Sequence, residues 1–205
     1  MLRQGGVILL YSFLKNLVAI LFWIGRVKVE GKENFPAKGA VILAANHVSF
    51  WDPVVVAAFI DRKIHYMAKE ELFEHVLIAR FLRKLNAFPV KRGVPDRKAL
   101  KMGLDLLQQE EVLGIFPEGT RSKTGEISKP QHGIAMLALK AEAPVIPVAC
   151  IGTRKFFPWA WISPVLVRIG EPIRYEEYYG AKLSTSVLEE VSRDIMDKIS
   201  MLRSC

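Results

Sequence analysis

Two side chains whose types and spacing suggest chemistry, His47 and Asp52, stand five residues apart in "AANHVSFWDP" at 44–53. A histidine that donates from one ring nitrogen to a carboxylate keeps the other nitrogen as a proton acceptor, the arrangement of a general base. Five apart on one helix they would point about 140° away from each other. A loop that bends back before a helix starting at Pro53 can bring them together instead. The pair has no nucleophile of its own. Ser49 is close in sequence, but no G-x-S-x-G turn surrounds it. The attacking group is then expected from the substrate, for example as a hydroxyl. The same stretch also suits a plain helix start, with Asp52 as cap and Pro53 in the first turn.

Two further clusters could hold an anion. "VKRG" supplies Lys91 and Arg92, and "FPEGTRS" supplies Arg121 with Gly119, Thr120 and Ser122. A guanidinium offers a planar fork suited to phosphate, glycine lets the backbone come close, and the hydroxyls add donors. Glu118 beside a phosphate would be repulsive, so it is expected to orient an arginine or accept from a substrate hydroxyl. A solvated basic pair and a simple glycine turn are the bland alternatives. A P-loop is excluded because G-x-x-x-x-G-K-[ST] is absent.

These clusters need elements to carry them. "AVILAA" (40–45) is a continuous apolar run, as in a strand covered on both faces. Strand patterns also fall at 26–31, 63–69, 87–92, 112–117, 145–152 and 164–172, the fifth of these interrupted by Pro147. Helical patterns fall at 53–60, 71–86, 95–111, 133–143 and 184–203. Alternating strands and helices predict an α/β domain with a largely parallel central sheet flanked by helices. In such sheets functional groups gather at the carboxyl ends of strands. All three polar clusters follow strands directly.

The rest of the chain sets the context. It has 205 residues, enough for one domain with its own core, and a formal net charge of +8. That excess suits a negative partner such as phospholipid, a phosphorylated substrate or an acidic protein. Its basic residues are dispersed and no nucleic-acid motif is present, so nucleic acid is not expected. Two cysteines, Cys150 and Cys205, make no disulfide framework and no zinc spacing. His65 and His75 sit in ordinary strand and helix patterns; His132 precedes Gly133 in a loop. From Gly5 to Gly25 the chain is apolar, with Lys15 and Asn16 in the middle. A spanning helix needs roughly 20 mostly apolar residues, and a lysine at its centre costs about 2.5–3.5 kcal/mol. An interfacial helix lets Arg3 and Lys15 reach headgroups while the apolar face sinks. Residues 1–25 are therefore expected to be a membrane-associating helical segment, monotopic in preference to spanning or packed on the chain's own core. Residues 26–205 are expected to form the catalytic domain. "KFFPWAW" at 155–161 is either core or a second apolar contact with lipid or an acyl chain.

Taken together, the motifs resemble the glycerophospholipid acyltransferase family, of the 1-acyl-sn-glycerol-3-phosphate acyltransferase (PlsC) type. "NHVSFWDP" is similar to its N-H-x-x-x-x-D block, "FPVKRG" to its second, "FPEGTRS" to its third and "VIPV" (145–148) to its fourth, in order across roughly 27–170. The resemblance implies His47 as general base and Asp52 as its orienter. It implies Arg92, Glu118, Gly119, Thr120 and Arg121 at the substrate's glycerol phosphate, and Pro147 in a structural block. Family members often carry a lysine close to the glycine matching Gly133. Here Lys129 stands four residues away, and no role is assigned to it.

The implied reaction moves a fatty acyl group from a thioester, acyl-CoA or acyl carrier protein, to the 2-hydroxyl of lysophosphatidic acid. Phosphatidic acid results. No metal and no bound cofactor are implied, and the expected location is the inner face of the cell membrane with the site on the cytoplasmic side. Glycerol-3-phosphate or another lysophospholipid remains open as acceptor, as does a peripheral anionic-lipid-binding protein without catalysis.

Overall fold

The computed structural model describes residues 27–126, 128–155 and 164–204. The apolar segment 1–25, the aromatic run 156–161 and Cys205 lie outside the described residues.

Seven strands form one sheet: β1 (Lys28–Glu30), β2 (Val41–Ala45), β3 (Ile64–Lys69), β4 (Phe88–Val90), β5 (Val112–Ile115), β6 (Val145–Ile151) and β7 (Leu166–Ile169). Their order is β1-β7-β6-β2-β5-β3-β4. Every neighbouring pair is parallel except β6 with β7. Among the described residues five α-helices accompany them: α1 (Asp52–Phe59), α2 (Val76–Lys84), α3 (Arg97–Gln108), α4 (Gly133–Ala141) and α5 (Thr185–Ser204).

β2 explains the layering. It lies between β5 and β6, and all five of its residues are wholly buried. Side chains alternate across a strand, so Ile42 and Ala44 enter one core while Val41, Leu43 and Ala45 enter the other. The first core takes Leu107 of α3, Ile134 and Leu137 of α4, and Ile195 and Ile199 of α5. The second takes Val55, Val56 and Ala58 of α1. Burying such Leu, Ile and Val side chains stabilises by about 1.5–3 kcal/mol each. Gly103 is the reason α3 lies so close to the sheet: a Cβ there would stand 3.1 Å from both Leu113 and Leu137. The helical price of that glycine, about 1 kcal/mol, is offset by the close packing it allows.

One expected element differs. The pattern at 71–86 reads as a single helix, but the chain makes a 3-10 turn over Glu70–Phe73 and α2 starts only at Val76. Between them His75 is extended, with φ −84° and ψ 112°. Helices in proteins owe most of their stability to burying an apolar face. This one buries only Ala79, while Val76, Leu77, Ile78 and Phe81 are exposed. Only Phe73 and Leu82 reach the second core, and so narrow a contact does not hold the two turns in one continuous helix.

Candidate active site

β2, β3, β4 and β5 run parallel, so their carboxyl ends share one edge of the sheet. The loops that follow β2, β4 and β5 carry the three polar clusters, which therefore meet.

The loop after β2 is a tight turn organised by Asp52. Its Oδ2 accepts from His47 Nδ1 at 2.9 Å and from the amides of Val48 and Ser49, each at 2.7 Å. Asp52 is wholly buried and His47 is 8% exposed. Since the carboxylate can only accept, Nδ1 carries the proton and Nε2 is left as the basic nitrogen. The expected cap is not made: Asp52 is the first residue of α1, Trp51 holds the N-cap position without a side-chain cap bond, and the carboxylate turns back onto the preceding loop, where the histidine and two amides occupy it. Asp52 Oδ1 is buried with no partner among the described residues. Trp51 N–H bonds Ser49 Oγ at 3.2 Å, which turns that hydroxyl to the loop's own backbone. The His47 ring stacks on Phe116, centroids 4.1 Å apart.

Cys150, behind the pair, is no rival nucleophile. Burial pushes its thiol well above the usual range and the Asp52 charge pushes it further, so the reactive thiolate is absent.

The loop after β5 grips the histidine's own peptide groups. Glu118 Oε1 accepts the His47 amide at 2.8 Å, and His47 C=O accepts from Ser122 N–H at 2.8 Å. Glu118 Oε2 accepts from Ser128 N–H at 3.2 Å. Sequence reasoning gave this carboxylate an arginine or a substrate hydroxyl; the structure gives it two backbone amides. Gly119 turns the loop with φ +68°, which L side chains rarely adopt.

Arg92 and Arg121 are different in kind. Both are exposed, and neither has a hydrogen bond or ion pair among the described residues. Burial of its inner part and the Arg121 charge hold the Arg92 guanidinium below its usual range, with Glu71 working the other way. It stays charged, since an arginine remains protonated at neutral pH. Two cations close enough to feel each other, neither held in an ion pair among the described residues, suit a dianion such as phosphate. Arg121 lies over the Phe50 ring, 3.4 Å from its centroid.

A cavity of about 920 Å³ opens beside these groups. Arg92, Glu118, Gly119 and Thr120 line its polar part; Leu100, Ile134, Met136, Leu137 and Leu188 line an apolar part reaching between α3, α4 and α5. His47 is not on its wall but touches Phe116 and Glu118, which are. His132 and Lys129 line it as well, and Lys129 pairs with Glu189 at 3.6 Å. His65 and His75 lie elsewhere. Among the described residues no group of His, Cys, Asp and Glu could hold a metal.

Some contributors have no motif to announce them. Asp96 caps α3 through the amides of Lys98 and Ala99, and its Oδ2 also accepts the Lys91 amide at 2.9 Å. It thereby closes the loop that bears Arg92. A D-x-x cap before a helix was the available signal. Ser122 and Phe116 belong to the "FPEGTRS" cluster, but their action on His47, 75 and 69 positions away in the chain, is a contact that the cluster's pattern does not mark.

Comparison with known proteins decides the family. The acyltransferase family model matches residues 26–151. The chain belongs to the acyltransferase family. A Bacillus subtilis 1-acyl-sn-glycerol-3-phosphate acyltransferase is 34% identical over 171 residues, 82% of this chain and 85% of that one. Its Streptococcus pneumoniae counterpart is 27% identical over 94% of this chain and 72% of its own. The crystal structure of the 1-acyl-sn-glycerophosphate (LPA) acyltransferase PlsC from Thermotoga maritima superposes with a TM-score of 0.74 at 26% identity, covering 98% of this chain and 82% of that one. The mostly parallel sheet and the flanking helices of this acyltransferase are thus shared with that structure.

Proposed function

We propose that the protein transfers a fatty acyl group from a thioester to the 2-hydroxyl of lysophosphatidic acid, giving phosphatidic acid. The observation that carries this reading is the placing of a buried His47–Asp52 pair next to two unpaired arginines on one sheet edge. The relatives' names support the acceptor. Arg92 and Arg121 take the phosphate, Gly119 and Thr120 the neighbouring polar backbone of the acceptor, and the apolar part of the cavity an acyl chain.

The chemistry follows from the geometry. A hydroxyl is a poor nucleophile until a base removes its proton during attack. His47 Nε2 takes that proton as the oxygen bonds to the thioester carbonyl carbon, and Asp52 stabilises the imidazolium. The tetrahedral oxyanion collapses, the carbon–sulfur bond breaks, and the thiolate regains a proton from Nε2. The amides of Val48 and Ser49 are committed to Asp52, so the oxyanion draws on other donors. Asp52 and Glu118 act as positioning residues for His47, one through its ring and one through its backbone. A thioester is reactive enough for this base, so neither a metal nor a bound cofactor is required, and acyl-CoA and acyl carrier protein both suit a basic surface.

The site works on lipid at the inner face of the cell membrane, peripherally or monotopically attached, from the cytoplasmic side. Residues 1–25 form the principal attachment in this reading. Among the described residues no helix is long and apolar enough to cross a membrane. The exposed Val76, Leu77 and Phe81 of α2, with Arg80, Arg83 and Lys84 between and beyond them, suit an anionic bilayer surface.

The test is an assay of purified protein in detergent with labelled acyl-CoA and acyl carrier protein donors, crossed with lysophosphatidic acid, glycerol-3-phosphate, a headgroup-bearing lysophospholipid and an uncharged alcohol. Lysophosphatidic acid should be the best acceptor. A preference for the uncharged alcohol, or full activity in a folded His47→Ala protein, would overturn the reading.

A further inference from the structure

Phe50 has no role in the chemistry above, yet it stands between its two halves. It is an aromatic side chain left 69% exposed on the short loop that carries His47 and Asp52. The Arg121 guanidinium carbon lies 3.4 Å from its ring centroid. At that separation the planar cation rests on the ring face, as cation–π attraction favours.

The choice of a ring has a consequence that a carboxylate would not. A carboxylate partner would fix Arg121 but take two of its donors and cancel its charge. A ring fixes the plane of the guanidinium and leaves its N–H donors directed outward around the edge, with the charge intact. Arg121 also feels Arg92, a like charge, so something must hold it near. Among the described residues Arg121 has no hydrogen bond or ion pair, and the ring is its one recorded partner.

The platform is itself anchored. Three bonds to Asp52 Oδ2 and the bond of Trp51 N–H to Ser49 Oγ fix the loop on both sides of Phe50. Ring and base therefore move as one piece.

We propose that Phe50 is a positioning residue that holds Arg121 open for the acceptor's phosphate and sets its distance from His47. This rests on the reading of Arg121 as a phosphate ligand.

The test is steady-state kinetics with lysophosphatidic acid in mixed micelles for Phe50→Leu, Phe50→Tyr, Arg121→Ala and the Phe50→Leu/Arg121→Ala double variant. Thermal melts check the fold, and Phe50 is too exposed for its loss to disturb the core. Phe50→Leu should raise the KM for lysophosphatidic acid roughly 2- to 5-fold, the worth of an exposed cation–π contact, with the donor's KM unchanged. Phe50→Tyr should restore it, and Phe50→Leu should add nothing once Arg121 is alanine. Leucine keeps the apolar character, so a KM equal to wild type in Phe50→Leu overturns the proposal. An equal loss in the Arg121→Ala background overturns it too, because the ring then acts on lipid without the arginine. An unchanged KM in Arg121→Ala alone would instead sink the phosphate reading beneath it.

Discussion

The two halves of this site are built on opposite principles. His47 and Asp52 are buried, and every contact that fixes the ring exists before substrate arrives: a carboxylate on Nδ1, a ring beneath, and both peptide groups held by the loop after β5. Arg92 and Arg121 are exposed and are held in no hydrogen bond or ion pair among the described residues. A base has to be aimed in advance, because misplacement by about 1 Å costs catalysis heavily. A phosphate-binding cation must keep its donors free, because any donor already satisfied has to be released on binding. In the proposed mechanism the difference between locked and open side chains is a difference between doing chemistry and recognising charge.

Substitutions can break that distinction or sharpen it. The largest effect belongs to the locked half. His47→Ala should lower kcat by about 10²- to 10⁴-fold with a native melting curve. Asp52→Asn, similar in shape but wrong in hydrogen-bond polarity, should fall in the same range without moving the acceptor's KM. If both variants changed KM and spared kcat, the halves would have been assigned the wrong way round. Next come the arginines. Losing charge-assisted hydrogen bonds in Arg92→Ala or Arg121→Ala should cut kcat/KM roughly 10- to 100-fold, mostly through KM. Lysine should restore only part of it, since it lacks the fork. These exposed cations also predict that the acceptor's KM rises with added salt while the His47-dependent kcat does not.

A smaller effect is expected at the apolar surface of α2. Leu77→Ser with Phe81→Ser should reduce co-sedimentation with anionic vesicles about 10-fold and leave activity on detergent-dispersed substrate intact. The smallest concerns Asp96, which closes the arginine loop. Asp96→Ala should cost about 1 kcal/mol of stability by denaturant titration. The backbone bonds from Lys91, Ala99 and Lys98 lower its pKa. Its contribution is therefore fully present above the ordinary aspartate value and is lost as pH falls through the depressed one. The wild type and the variant should begin to converge in stability below about pH 4 and meet only below the depressed value.

The sequence marked the site better than it marked what surrounds it. β2 was legible because a strand covered on both faces needs an unbroken apolar run, and "AVILAA" is one. The three carboxyl-end clusters were legible for the same reason: each interrupts such a run with polar residues. The antiparallel β6–β7 pair was not, since hydrophobic pattern records which faces are covered and not which way a neighbour runs. The segment 71–86 misled because an amphipathic stripe shows that a face is apolar but not how much of it the protein covers, and here only Ala79 is buried and only Phe73 and Leu82 reach a core. Glu118 misled for a third reason. Its partners are main-chain amides, and main chain has no letter in a sequence. Next to an arginine its charge drew attention to electrostatics, when the structure uses it as a hydrogen-bond acceptor for the histidine's backbone.

That clamp on His47 has a bearing on redesign. Glu118 and Ser122 grip the two peptide groups of His47 from the same loop that presents Thr120 and Arg121. A chimera that imports this loop to change acceptor preference would also re-seat the base, and one that imports the histidine loop alone would arrive without its footing. The transferable unit is the two loops as a matched set, grafted together or not at all.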